Sequence, residues 1–118
     1  MEAEETDPAR LTGWFVVEAG RRTAWPFVNV ADPVSGREVR LYIDSTFAVL
    51  PGWPELRQHD EQALAALDST SGRTIAAVET PGHSGLRLTF DDASALTVQA
   101  DGNELTSHSP WWVGRIGG

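Results

Sequence analysis

The 118-residue chain contains no cysteine and no lysine. Lack of cysteine excludes structural disulfides, thiolate nucleophiles and zinc sites with sulfur ligands. Lack of lysine means that all nine basic side chains are arginine, set against 17 acidic ones for a formal charge of −8. A nucleic-acid binder ordinarily carries the opposite sign, so nucleic acid is not an expected partner. No apolar run approaches the roughly 20 residues of a membrane span, and the acidic start has the wrong sign for a secretion signal. A soluble cytoplasmic protein without a membrane partner is therefore expected. His59, His83 and His108 never stand at the i, i+2 or i, i+4 spacing that sets two ligands on one side of a strand or helix. Neither a metal nor a cofactor is expected.

What is present points to one domain. A chain of this length buries roughly two thirds of its unfolded surface, enough for a single core. The apolar fraction is 41%, and five tryptophans add large burial per residue. "MEAEETD" has four acids and no hydrophobic period, so residues 1–10 read as a solvated tail and 11–118 as the domain.

Along that domain the hydrophobic period is mostly two. "LTGWFVV" reads as a strand ending at a turn over Ala19-Gly20-Arg21-Arg22. "TAWPFVNV" holds Pro26, which cannot donate to a ladder, and so reads as an edge or bulged strand. "ADPVSG" is a turn, "REVRLYID" places Val39, Leu41 and Ile43 on one face, and "STFAVL" closes the first half. Then follows an irregular proline-flanked link around Trp53 and a short helix over residues 60–68, with Asp60 as its N-cap. The second half repeats the scheme with "GRTIAAVE", "LRLTF", the turn "DDAS" and "ALTVQA", a further turn "DGN" into "ELTSH", and a tryptophan tail over 110–118.

The halves resemble each other in wording. Val39, Leu41, Ile43, Phe47 and Val49 can be laid over Leu86, Leu88, Phe90, Leu96 and Val98, and Gly13-Trp14-Phe15-Val16 over Gly72-Arg73-Thr74-Ile75. An internal duplication accounts for this, with pseudo-repeats over about 11–50 and 72–107. A lone three-stranded meander cannot bury its apolar face, and a second one supplies the cover. The expected fold class is α+β, mainly antiparallel β, with two pseudo-repeated β-meanders joined by one short helix. The same match puts Arg40 and Arg87 on equivalent, outward positions.

Motifs with chemical content are few. "GHSG" at 82–85 lacks the second glycine and the following helix of a hydrolase elbow and reads as a turn. The paired carboxylates Asp91-Asp92 and Asp101 with Glu104 lack the order of a calcium loop and read as turn residues. No catalytic residue can be nominated. The candidate contact residues are Trp25, Arg40, Tyr42, Trp53, Arg87, Trp111 and Trp112, because tryptophan, tyrosine and arginine dominate interface energetics. On an extended tail, adjacent Trp111 and Trp112 must point to opposite faces.

Gly72-x-x-Ile75 leading into "LRLTFDDASALTV" resembles a family of small actinobacterial domains of unknown function. In that family a Gly-x-x-Val strand precedes a Leu-x-Phe-x-Asp-Gly hairpin and a tail with tryptophan. The similarity spans about residues 11–112 and implies the fold and no activity. Two places depart from the pattern: Ala93 stands where the family has glycine, and "SPWW" replaces an acidic residue and a single tryptophan.

Size, acidity and the missing catalytic constellation lead to a non-catalytic protein-binding domain, of the immunity-protein kind that neutralises a basic toxin. The alternative is a small ligand-binding protein or enzyme with a tryptophan-lined pocket between the meanders. A homodimer through an uncovered edge strand is also conceivable, with Pro26 arguing against that edge.

Overall fold

The computed structural model describes residues 8–23, 25–57, 60–81, 85–99 and 111–115. Among these residues eight strands form two four-stranded antiparallel sheets, and one six-residue helix lies between the fourth and fifth strands. The strands are β1 Phe15–Arg22, β2 Trp25–Ala31, β3 Glu38–Ile43, β4 Phe47–Leu50, β5 Ile75–Glu79, β6 Leu86–Phe90, β7 Ala95–Val98 and β8 Trp111–Arg115; α1 is Ala63–Asp68. The expected mainly antiparallel fold with a single short helix is what the chain adopts.

The first sheet has the order β1-β2-β3-β8 and the second β4-β7-β6-β5. Each is a three-strand meander plus one strand from the other half of the chain. Beyond β3 the chain crosses to the second sheet as β4, and β8, which follows β7, lies in the first. This exchange overturns the residue match of 39–50 with 86–98. In the first stretch β3 and β4 belong to different sheets, whereas in the second β6 and β7 form a hairpin.

The other match holds, and it sets the true correspondence. Gly13 N–H donates to the Ile75 carbonyl at 2.7 Å, and Gly72 N–H to the Val16 carbonyl at 2.7 Å. Ile75 N–H donates to Trp14 and Val16 N–H to Arg73, at 2.8 and 3.0 Å. Each bond has its mate with the roles of the halves reversed, around an antiparallel bridge between Phe15 and Thr74. Gly13 and Gly72 share left-handed φ values of +93° and +86°, a conformation that glycine adopts without steric cost. The same spacing relates Leu11 to Thr70, both fully buried, and the bulge after Val16 to the bulge after Ile75. The halves therefore repeat one plan, with β1, β2, β3 and β4 answering to β5, β6, β7 and β8.

The inward residues of both sheets join in one core. Val28, Val30, Leu41 and Ile43 from the first sheet and Leu86, Leu88, Phe90 and Leu96 from the second are at most 1% exposed. For Leu41, Ile43, Leu86, Leu88 and Phe90 this is the direction that period-two alternation predicts. Ala63, Ala66 and Leu67 of α1 close the core against β1, β2 and β4. Asp60 does not cap that helix with its side chain; its carboxylate accepts the Arg57 N–H at 2.8 Å instead.

Two further expectations need correction. β1 begins later than expected and runs through Ala19-Gly20-Arg21-Arg22, while Pro8–Leu11 forms a 3-10 turn that brings Leu11 into the core. The turn therefore belongs after Arg22, and the described part of the domain starts three residues before position 11. β2 is central, not an edge, in spite of Pro26. The ladder with β3 ends at the Phe27–Tyr42 pair, one residue short of Pro26, so the missing N–H falls where no bond is made.

Candidate functional site

The outer face of the first sheet collects four of the seven nominated residues. Strand alternation turns Trp25, Phe27 and Asn29 of β2, Arg40 and Tyr42 of β3, and Trp112 of β8 to the side opposite the core. Register then sets Tyr42 beside Phe27 on one flank and Trp112 on the other. Tyr42 and Trp112 stack, with ring centroids 5.1 Å apart and 21° between planes. Trp25 meets Trp112 edge-on at 5.4 Å, and Phe27 meets Tyr42 edge-on at 5.8 Å. The rings pack against one another across three strands; Trp25, Tyr42 and Trp112 remain half-buried.

Glycine makes room for this layer. Gly20 pairs directly with Phe27, and a Cβ on Gly20 would sit 2.7 Å from the tip of the ring. Phe27 thus lies flat across its neighbour strand and is only 8% exposed although it faces away from the core.

Beside the rings runs a polar chain. Glu18 Oε2 accepts from Asn29 Nδ2 at 3.0 Å, and Asn29 Oδ1 accepts from Arg40 Nε at 2.9 Å. The Arg40 guanidinium carbon lies 3.8 Å from the centroid of the Phe27 ring and 5.9 Å from that of Tyr42. Asn29 is 3% exposed, and Glu18 and Arg40 satisfy its amide from both sides. Arg40 was expected to stand out into solvent; it is half-buried, because its stem and head are drawn across Phe27.

The remaining nominees go elsewhere. Trp111 pairs with Ile43 and packs on the core, the opposite direction from Trp112, as adjacent strand positions require. Trp53 also packs on the core, where the segment after β4 folds back and pairs Leu56 with Phe47. Arg87 is exposed on the outer face of the second sheet. The correspondence of halves makes Arg87 the counterpart of Phe27, not of Arg40. Phe27, Asn29, Glu18 and Gly20 escaped the sequence reading, since a run of buried residues through β2 hides which of them face outward. The cross-strand partners expose that: Phe27 sits opposite Tyr42 and Asn29 opposite Arg40, and Gly20 and Glu18 in turn stand opposite Phe27 and Asn29.

Core side chains of both meanders join in one cluster between them; Trp25 and Trp112 lie on the outer face of the first sheet, and Trp53 and Trp111 pack against the core. Among the described residues, no group of three histidine, cysteine or carboxylate side chains could hold a metal ion. No helix among them is long and apolar enough to cross a membrane. The acids at 91 and 92 serve a turn: Asp92 accepts the Ser94 N–H at 2.9 Å and the Ser94 hydroxyl, and pairs with Arg73 at 3.4 Å. Those hydrogen bonds, the hydroxyl's foremost, hold the Asp92 carboxyl below the ordinary value of 3.8. His59, His83, His108, the serine of "GHSG" and the pair Asp101 and Glu104 lie outside the described residues.

Comparison with protein-family models, curated proteins and solved structures finds no match.

Proposed function

We propose that this chain is a non-catalytic protein-binding domain whose contact surface is the outer face of the first sheet, centred on Trp25, Tyr42 and Trp112. One observation carries the reading. The positions that answer to Phe27, Arg40, Tyr42 and Trp112 in the other half are Arg87, Ala95, Thr97 and Ala48. Among the described strand positions the same architecture is built there without a single aromatic ring on its outer side, so the fold itself does not call for the layer. Half-buried tryptophan and tyrosine with arginine among them are the residues that anchor protein interfaces. The mutual stacking of Tyr42 and Trp112 leaves ring edges outward, which favours an apolar protein surface over a sugar or base that needs an open ring face.

The net charge of −8 supports a specific form of this reading: a cytoplasmic neutraliser of a basic partner, of the immunity-protein kind, with association steered by charge. The test compares wild-type protein with Trp112→Ala as bait in the native lysate. A protein held at nanomolar affinity by wild type, at least a hundredfold weaker with Trp112→Ala, and slower to associate as salt rises is the expected result. Equal retention by both baits, or none by either, would overturn the reading.

A further inference from the structure

We infer that Arg40 is a receptor for one carboxylate, presented by an acidic side chain of an extended segment in the partner protein, with the aromatic layer taking the apolar residue beside it. This rests on the outer face of the first sheet being the contact surface. The guanidinium is held on one side only. Its Nε–H is committed to Asn29, which is itself fixed by Glu18, and its flat face lies on Phe27. Both terminal NH2 groups have no acceptor among the described residues, and no described carboxylate forms an ion pair with Arg40. An arginine oriented by its Nε and its π-face, with its terminal fork open, is arranged for bidentate recognition of a planar anion. Orientation before binding lowers the ordering cost of the contact.

Charge on the face agrees. Glu18 is already engaged by Asn29, and Arg22 adds a second cation across from Trp25. Glu38, two residues before Arg40, shares its face and is exposed at the start of the strand, with Arg40 between it and Tyr42. The two cations flank the rings, Arg40 beside Asn29 and Arg22 beside Trp25. The counterpart of Arg40 is Ala95, so the backbone plan shared by the two halves does not itself call for an arginine there.

Selection of phage-displayed random peptides on the immobilised full chain tests this directly. The probe is stringent, because an acidic protein enriches basic peptides by long-range attraction. Enriched peptides should carry glutamate or aspartate next to a large apolar residue. A synthetic peptide from that set should lose at least tenfold in affinity when its acid is changed to the amide, and by a similar factor when Arg40→Gln replaces the wild-type chain. The amide variant of the peptide leaves the protein untouched, so the test stands even if Arg40→Gln fails to fold. Peptides that depend on Trp112 but lack an acid, or whose acid is indifferent to amidation, would overturn the carboxylate site and leave the contact surface intact. Selection that yields the same peptides on a Tyr42→Ala, Trp112→Ala control would overturn both.

Discussion

The two sheets are alike inside and different outside. Facing the core, Val28 and Leu41 of the first sheet answer to Leu88 and Leu96 of the second, all fully buried aliphatics. Facing away, the first sheet carries Phe27, Tyr42 and Trp112 where the second carries Arg87, Thr97 and Ala48. Burial in a common core constrains the inner positions of both halves equally, because each sheet is the other's cover. Nothing of the kind acts on the outer positions. A difference confined to them shows what this surface adds to a fold that stands without it.

The largest effect should come from the shared interior. Leu41→Ala and Leu96→Ala remove the same atoms from corresponding places, and each should lower stability by about 3 kcal/mol through lost transfer energy and the cavity left behind. Urea unfolding measures both. Costs that differ by more than about 1.5 kcal/mol would break the claim that the halves bury their middle strands alike.

Next comes the contrast between the outer faces. Gly20 stands across from Phe27, and the corresponding position across from Arg87 is Glu79. Gly20→Ala forces a methyl group against a ring held between the backbone and Arg40, and should cost about 1–2 kcal/mol. Glu79→Ala, on an exposed edge, should change stability by less than about 0.5 kcal/mol. The proof of cause is spectroscopic: tilting Phe27 disturbs Tyr42 and Trp112, so near-ultraviolet dichroism should fall with Gly20→Ala and not with Glu79→Ala. An unchanged aromatic signal would show that the layer is looser than its packing implies.

How much of this the sequence carried depends on the range of the interaction. Val39, Leu41 and Ile43, and likewise Leu86, Leu88 and Phe90, were assigned their faces from period two alone, because alternation is a property of each strand by itself. Whether a strand stays in its sheet after a turn is not. Asp44-Ser45-Thr46 and Asp91-Asp92-Ala93 are short polar links of similar kind, yet one leads across to the other sheet and the other closes a hairpin. That misled the match of the halves and paired Arg40 with Arg87. Pro26 misled in the opposite way: its missing donor counts only where a ladder bond is due, and the pairing of β2 with β3 ends at Phe27 and Tyr42. Single nominations of Trp25, Tyr42, Arg40 and Trp112 were legible from residue type. Their assembly was not, because it depends on a register between β3 and β8, some 70 residues apart in the chain.

Each meander turns its second strand into its third with an aspartate that accepts an N–H two residues on, and this supplies the smallest and finest comparison. Asp32 accepts from the Val34 N–H at 2.9 Å and from the Ser35 hydroxyl at 2.7 Å; Asp92 accepts from the Ser94 hydroxyl and N–H and has Arg73 beside it. Hydrogen bonds to the ionised form hold both carboxyls below their ordinary value of 3.8, those from Val34 and then Ser35 in one turn and from Ser94 in the other. A carboxyl depressed on folding stabilises the folded state above its unfolded value, and that contribution is lost as pH falls through the lower folded value. Asparagine keeps an oxygen for the turn's N–H but cannot titrate. Asp32→Asn and Asp92→Asn should therefore each flatten the acid limb of stability against pH, followed by urea unfolding from pH 7 downward, by lowering stability at pH 7 and changing it little once the wild-type carboxyl is protonated. Since Arg73 adds its charge only at Asp92, added salt should weaken the effect there and leave that at Asp32 nearly as it was, Arg37 being the last among the influences on the first turn. Equal salt sensitivity in the two turns would mean that the Arg73 contact does not persist in solution, and that the hairpins are tied by hydrogen bonds alone.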